Sequence, residues 1–245
     1  MKLKPEMIAA GLIAGLAALM IFSDKTVKTQ SGVNILRNVN EYQSSINKAA
    51  ELATTVFQKA DAGQELNEQD KSNLELAAKE FEAMKAYDPK SVTAVFGAGK
   101  CYMILGDKQR ASENLEQAYL NYQIDPSKEL DGVKDTAIEA AGLLSEVVFM
   151  LGNDSIADYN SASQSGDKTT AQSKQKEAQI YYKKSFDYAN IAVQQKPNGF
   201  RYLLARCQVL LATGNKDQAQ KDFQTAKSLA PTDYKVVMFG KLLGN

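Results

Sequence analysis

Two stretches of this chain are built on one plan, and a plan that recurs constrains a fold more than any single motif. The first, TAVFGAGKCYMILGDKQRASENLEQAYLNYQIDP, covers 93–126; the second, RYLLARCQVLLATGNKDQAQKDFQTAKSLAP, covers 201–231. Each opens with an apolar helical run and reaches Gly-Asp-Lys at Gly106 or Gly-Asn-Lys at Gly214. Alanine follows at Ala111 or Ala219, then Leu115 or Phe223, then Ala118 or Ala226, and a proline closes the stretch. Two more stretches join when aligned on their prolines: Ala77 and Phe81 precede Pro89, and Ser185, Ala189 and Ala192 precede Pro197. Residues three and four apart share a helix face, and small ones there let a second helix approach closely.

The pattern resembles the tetratricopeptide repeat (TPR) family, in which two antiparallel helices recur about every 34 residues. The resemblance implies an all-α chain, a right-handed α-solenoid of antiparallel helix pairs. Four pairs are expected, at 46–89, 92–125, 133–197 and 200–231, with 234–243 as a C-terminal capping helix. In the third pair, GNDSIADYNSASQSGDKTT separates the two helical runs. Its Ser, Asn, Asp and Gly content predicts a long insert loop over 152–170. The domain reading is an anchor at 1–24, a helical connector at 25–64 and a TPR-like domain at 65–245.

The chain opens MKLKPEMIAAGLIAGLAALMIFSDK, and 7–22 carries no charge. A helix of that length spans about 24 Å, a little short of a bilayer core. The run ends in bulky MIFSDK, without the small residues of a signal cleavage site and without a lipidation cysteine. We therefore expect an uncleaved single-pass transmembrane helix. Lys2 and Lys4 precede it and Lys25 and Lys28 follow; with the α-amino group the balance leans toward a cytoplasmic N-terminus and an extracytoplasmic, periplasmic bulk. Gly11 and Gly15 form GxxxG, and Ala18 extends the same small face for packing on another transmembrane helix.

Phe96-Gly-Ala-Gly-Lys100 looks like the end of a phosphate loop. That motif needs G-x-x-x-x-G-K-[ST] after a strand. Ala94 stands at the first glycine, Cys101 at the hydroxyl, and nothing before them alternates as a strand does. Glycine there is read as a close helix crossing, placed by the repeat register at Gly99. The chain has no histidine, which removes the commonest general base and most zinc sites. Cys101 and Cys207 fit neither a CxxC motif nor a disulfide framework, and read as buried apolar residues. Lys+Arg and Asp+Glu both number 29, so no basic surplus points to nucleic acid. Asp154, Asp158 and Asp167 lack the spacing of a calcium loop. No enzyme activity, cofactor or metal is expected.

A solenoid of helix pairs presents a groove lined by the first helix of each pair. Carried over from the family, the groove positions are Phe96, Lys100 and Met103 in the second pair and Arg201, Leu204 and Gln208 in the fourth. Chaperone-binding relatives hold a peptide carboxylate there with lysine and asparagine; Phe96 and Lys100 do not reproduce that clamp. The mixture suits an amphipathic helix or an extended segment, unless the helix at 32–64 fills the groove. The resemblance implies a membrane-anchored protein-interaction module, an adaptor or assembly factor at the cell envelope. The alternative is a permanently bound accessory subunit of a membrane complex, docked by its transmembrane helix. A homo-oligomer is left open.

Overall fold

The computed structural model describes residues 32–124 and 131–243, and every regular element among them is an α-helix. In chain order these are α1 (Gly32–Asp61), α2 (Glu68–Tyr87), α3 (Val92–Leu105), α4 (Lys108–Ile124), α5 (Asp131–Ser165), α6 (Lys168–Gln195), α7 (Phe200–Ala212), α8 (Lys216–Leu229) and α9 (Tyr234–Leu242). They fall into two compact units. One holds α1, α2, α3 and the second half of α4; the other holds the first half of α4 and the chain from Ile138 onward.

Two kinds of turn alternate along the chain. Within each hairpin the first helix runs into a glycine of positive φ: Gly63 (68°), Gly106 (85°), Gly166 (79°) and Gly214 (84°). At three of them the next N–H closes back five residues, Gln64 to Lys59 O at 2.9 Å, Asp167 to Ala162 O at 2.9 Å and Asn215 to Leu210 O at 2.8 Å. That left-handed cap satisfies carbonyls the helix leaves open, and a Cβ would strain it. Between hairpins the turn is built on proline. Pro89, Pro197 and Pro231 each sit second in a β-turn closed by Ser91 N–H to Asp88 O (3.1 Å), Gly199 N–H to Lys196 O (2.9 Å) and Asp233 N–H to Ala230 O (3.1 Å). Proline's fixed φ suits that position.

The register read from the prolines, and in α4 from Gly106, is the packing register. Ala77, Phe81 and Met84; Ala111, Leu115 and Ala118; Ser185, Ala189 and Ala192; and Ala219, Phe223 and Ala226 are all buried, none more than 8% exposed. In the first unit Ile46, Ala49, Ala53, Val56 and Phe57 of α1 share one core with Leu74, Ala77, Phe81 and Met84 of α2 and Ala94, Ala98 and Cys101 of α3. In the second, Leu203, Leu204, Cys207 and Leu210 of α7 pack with Ala219, Phe223 and Ala226 of α8 and Val236 of α9. Arg206 binds the buried Asp222 through Nε to Oδ2 at 2.7 Å and Nη2 to Oδ1 at 2.9 Å, and Asn190 Oδ1 accepts from its Nη1 at 2.8 Å.

Two expectations are corrected. The insert loop over 152–170 is helix apart from a tight turn. α5 continues to Ser165, and α6 begins at Lys168 behind Gly166-Asp167. At 35 residues α5 is about 52 Å long, against about 21 Å for the 14-residue α3. Helix propensity is low through this stretch, but tertiary contacts override it. Ser155, Ala162, Ala171 and Ala178 are buried, and a Cβ on Gly152 would lie 2.7 Å from the Tyr182 ring. Tyr182 donates to Asn153 Oδ1 at 2.7 Å, and Lys174 pairs with Asp158 at 3.3 Å. Asp167 caps α6, accepting from Thr170 N–H at 3.0 Å. The separate connector at 25–64 is the other correction. Its described part is α1, the first helix of the first hairpin, held by the core it shares with α2.

The proposed anchor at 1–24, with Gly11, Gly15 and Ala18, lies outside the described residues. Among those described, no helix is long and apolar enough to cross a membrane.

Candidate protein-interaction site

The six expected groove residues part company. In the first unit Phe96 and Lys100 are buried, at 5% and 4% exposure. Phe96 lines a cavity of only about 40 Å³ whose other walls include Ile46, Ala49, Ala53 and Phe57 of α1 and Phe81 of α2. Lys100 Nζ donates to Asp61 Oδ2 at 3.2 Å and stands 5.0 Å from the centre of the Phe57 ring. Met103 is half-buried. Here the helix before the groove has taken the groove's place, because α1 offers apolar side chains at the heights of Phe96 and Lys100 and a carboxylate at its end.

Gly97 shows a close crossing of the kind that glycine serves. A Cβ there would meet the Phe81 ring at 2.4 Å. Gly99 is buried as well.

In the second unit Arg201, Leu204 and Gln208 come together along a cleft of about 260 Å³. Its opposite wall is α9, through Tyr234, Lys235, Met238 and Leu242, with Ala205, Phe239 and Glu146 of α5 completing it. Tyr234, Met238 and Leu242 follow one another at four-residue spacing on one face of α9 and are 37%, 55% and 78% exposed. Val236 and Phe239 hold the other face of α9 against the core. Asp233 caps the helix, accepting from Lys235 N–H at 2.9 Å. Across the cleft Lys235 Nζ donates to Glu146 Oε2 at 3.2 Å. The guanidinium of Arg201 lies 5.8 Å from the centre of its neighbour's ring, Phe200. The arrangement is an apolar trough with two cations and one carboxylate along its edge.

The repeat period contains the half of this site that sequence reasoning missed. Pro231 follows Pro197 by the 34 residues of one repeat. The same step carries Arg201 to Lys235, Leu204 to Met238 and Gln208 to Leu242, and all six line the cleft. Glu146 carries no such signal, since α5 is longer than the repeat and its register is set by packing.

The remaining polar candidates are in structural use. Lys108 pairs with Asp154, Lys174 with Asp158, and Asp167 caps α6. Among the described residues no group of acidic or cysteine side chains converges as a metal site. Cys101 and Cys207 are buried thiols pushed up to about 12, in both cases chiefly by burial.

No family model and no curated protein matches this chain. Among solved structures it is similar to YrrB, described as a TPR protein with an unusual peptide-binding site, at 15% identity and a TM-score of 0.33, over 86% of this chain and 98% of that one. It is also similar to MamA from Desulfovibrio magneticus RS-1, at 13% identity and a TM-score of 0.27, over 76% and 97%. The Cut9-Hcn1 hetero-tetramer is similar at 14% identity and a TM-score of 0.23, over 94% of this chain and 51% of that one. None of these scores reaches 0.5.

Proposed function

We propose that this chain is a TPR-like protein-interaction module that holds a segment of another protein in the α7–α9 cleft. The observation that carries this reading is the cleft itself, with its open apolar wall of Tyr234, Met238 and Leu242 facing Leu204. Ordinary soluble surfaces scatter such side chains singly, and a rimmed apolar trough marks a contact site. A cavity near 260 Å³ falls below the about 300–1,000 Å³ of small-molecule pockets and suits a few side chains of a peptide. Only the second unit supplies the groove; Phe96 and Lys100 have no part in it.

The proposal extends to the membrane. The uncharged run at 7–22 tethers the module, with the bulk of the chain on the extracytoplasmic side, where it serves as an adaptor or assembly factor. Confinement to the bilayer raises the effective concentration of membrane-bound partners, so a modest cleft suffices.

A photo-cross-linking residue at Met238, illuminated in native membranes, tests the reading. Defined protein adducts at Met238 and none at exposed Lys183 are expected. No adduct at Met238 would remove the cleft from the function. Mild-detergent extraction and native-gel separation then separate exchange from permanent assembly. GxxxG at Gly11 and Gly15 favours a fixed subunit as the second reading; Gly11→Ile plus Gly15→Ile would then release the chain from a large band.

A further inference from the structure

We infer that Asn198-Gly199, in the turn that leads into α7, is a site of spontaneous covalent modification: the asparagine loses ammonia to its neighbour's backbone nitrogen and ends as aspartate or isoaspartate. The modified turn sets where α7 begins, whatever the cleft holds.

Sequence and packing make the site together. Asn198 is the one asparagine in the sequence followed by glycine. With no Cβ on residue 199, nothing crowds its nitrogen as it approaches the Asn198 Cγ. Tertiary packing demands that glycine. A Cβ on Gly199 would lie 2.5 Å from one edge of the Tyr202 ring, and a Cβ on Gly142 of α5 would lie 2.5 Å from the other. Pro197 and Asn198 are exposed, and among the described residues the Asn198 carboxamide has no hydrogen-bond partner. Of the other described asparagines, all but Asn67 and Asn215 lie within helices, whose hydrogen bonds hold the following nitrogen in place. Asn67 is held as a cap, its Oδ1 accepting from Asp70 N–H at 2.8 Å, and Asn215 is followed by the bulkier Lys216.

Lys196 to Gly199 form a type I turn: among the described residues only glycines have positive φ, and Gly199 N–H donates to Lys196 O at 2.9 Å. Attack needs rotation about the Asn198 Cα–C bond, which breaks that hydrogen bond. A single hydrogen bond is a weak latch, and its opening sets the pace. Hydroxide then takes the Gly199 amide proton, and the nitrogen bonds to Asn198 Cγ. The Cγ–Nδ2 bond breaks, and Nδ2 leaves as ammonia after taking a proton from water. Water opens the cyclic imide at Cγ to give aspartate, or at the backbone carbonyl to give isoaspartate. Water enters, ammonia leaves, and nothing is oxidised or reduced. The two products act differently on α7, which Gly199 caps without a side-chain acceptor. Aspartate puts a negative charge beside the helix N-terminus, where the dipole favours it. Isoaspartate lengthens the backbone by one carbon and removes the turn that starts the helix of Arg201, Leu204 and Gln208.

The test holds the detergent-solubilised full chain in warm, mildly alkaline buffer and samples it by peptide mapping, with fragmentation that tells aspartate from isoaspartate. Conversion is expected at Asn198 before any other asparagine, with both products present and a rate that rises with pH. Asn198→Ser should abolish it. Pro197→Ala loosens the turn without touching the reacting atoms and should speed it, with retained helicity showing that the variant folds. Separated from the unconverted chain, the isoaspartyl form should melt below the parent, and Asn198→Asp should melt no lower than the parent.

An Asn198 that converts in urea but not in the folded chain would overturn the inference, because the turn would then be a lock. Conversion of Asn160 or Asn215 ahead of Asn198 would overturn it as well. A Pro197→Ala chain that converts no faster than the parent would remove the turn as the step that sets the pace. An isoaspartyl form that melts with the parent would remove its effect on α7.

Discussion

The Phe81 ring fills the space where a side chain at Gly97 would begin, so that a Cβ there would lie 2.4 Å from the ring carbons. The glycine-lysine stretch that looks like a nucleotide loop is thus a helix crossing, with Gly97 on α3 set against α2. Gly97→Ala gains about 1 kcal/mol of helix propensity but overpacks a buried contact, which costs about 1–3 kcal/mol. We expect net destabilisation in urea unfolding, partly relieved by Phe81→Leu. A Gly97→Ala variant as stable as the parent would contradict this crossing.

Asp222 is 3% exposed and holds Arg206 by two parallel bonds, with Gln218 Nε2 donating to Oδ1 at 3.0 Å. Removing one partner leaves a charge buried without compensation. Asp222→Ala should cost about 3–5 kcal/mol in chemical denaturation. The double change Arg206→Leu with Asp222→Leu should cost less than the single one, and the reverse order would mean that the pair is not the source of the loss.

Acid should loosen the start of α2. Lys59 donates to Asp70 Oδ1 at 2.8 Å and is the main reason that the Asp70 carboxyl lies below its ordinary 3.8; the Asn67 N–H adds to the effect and burial opposes it. A carboxyl lowered in the folded state takes up its proton more readily when unfolded. Its stabilisation is complete above 3.8 and is lost as pH falls from there through the folded value. Thermal melts of Lys59→Met should therefore lie below the parent at neutral pH and converge on it in acid. A gap that stays constant through that range would assign the loss to something other than Asp70.

The two thiols should be silent in the native protein. Cys101 and Cys207 are fully buried, and burial pushes both up to about 12, with the Asp222 charge adding to the effect at Cys207. Thiolate is the reactive form. Iodoacetamide at mildly alkaline pH should label neither residue in the folded chain and both in urea, as read by mass spectrometry. Rapid labelling of either one while the chain is folded would contradict its burial.

Much of the fold was legible because its signals are local. Glycine at Gly106 and Gly214 ends a first helix by the one backbone conformation that other residues avoid, and proline at Pro89, Pro197 and Pro231 opens a turn with its fixed φ. Counting back from those prolines found the buried face of α2, α6 and α8, down to Ser185, whose hydroxyl donates to Ser145 O at 2.9 Å, and counting on from Gly106 found that of α4. These are properties of a residue and its near neighbours, and they need no knowledge of the rest of the chain.

The helical course through 152–165 was not local. Asn153, Asp154, Ser155 and Asp158 read as loop by propensity, and they are helical because Tyr182, Lys108 and Lys174 meet them from other helices. The site divides on the same line. Sequence alone placed Arg201, Leu204 and Gln208 on one helix face; Lys235, Met238 and Leu242, one 34-residue step further on, were missed and emerged only from the cleft they line. Phe96 and Lys100 have the same claim by register as Leu204 and Gln208. Only tertiary packing decided that α1 buries the first pair while the second faces an open cleft, because whether a helix face is open depends on what distant chain lies against it.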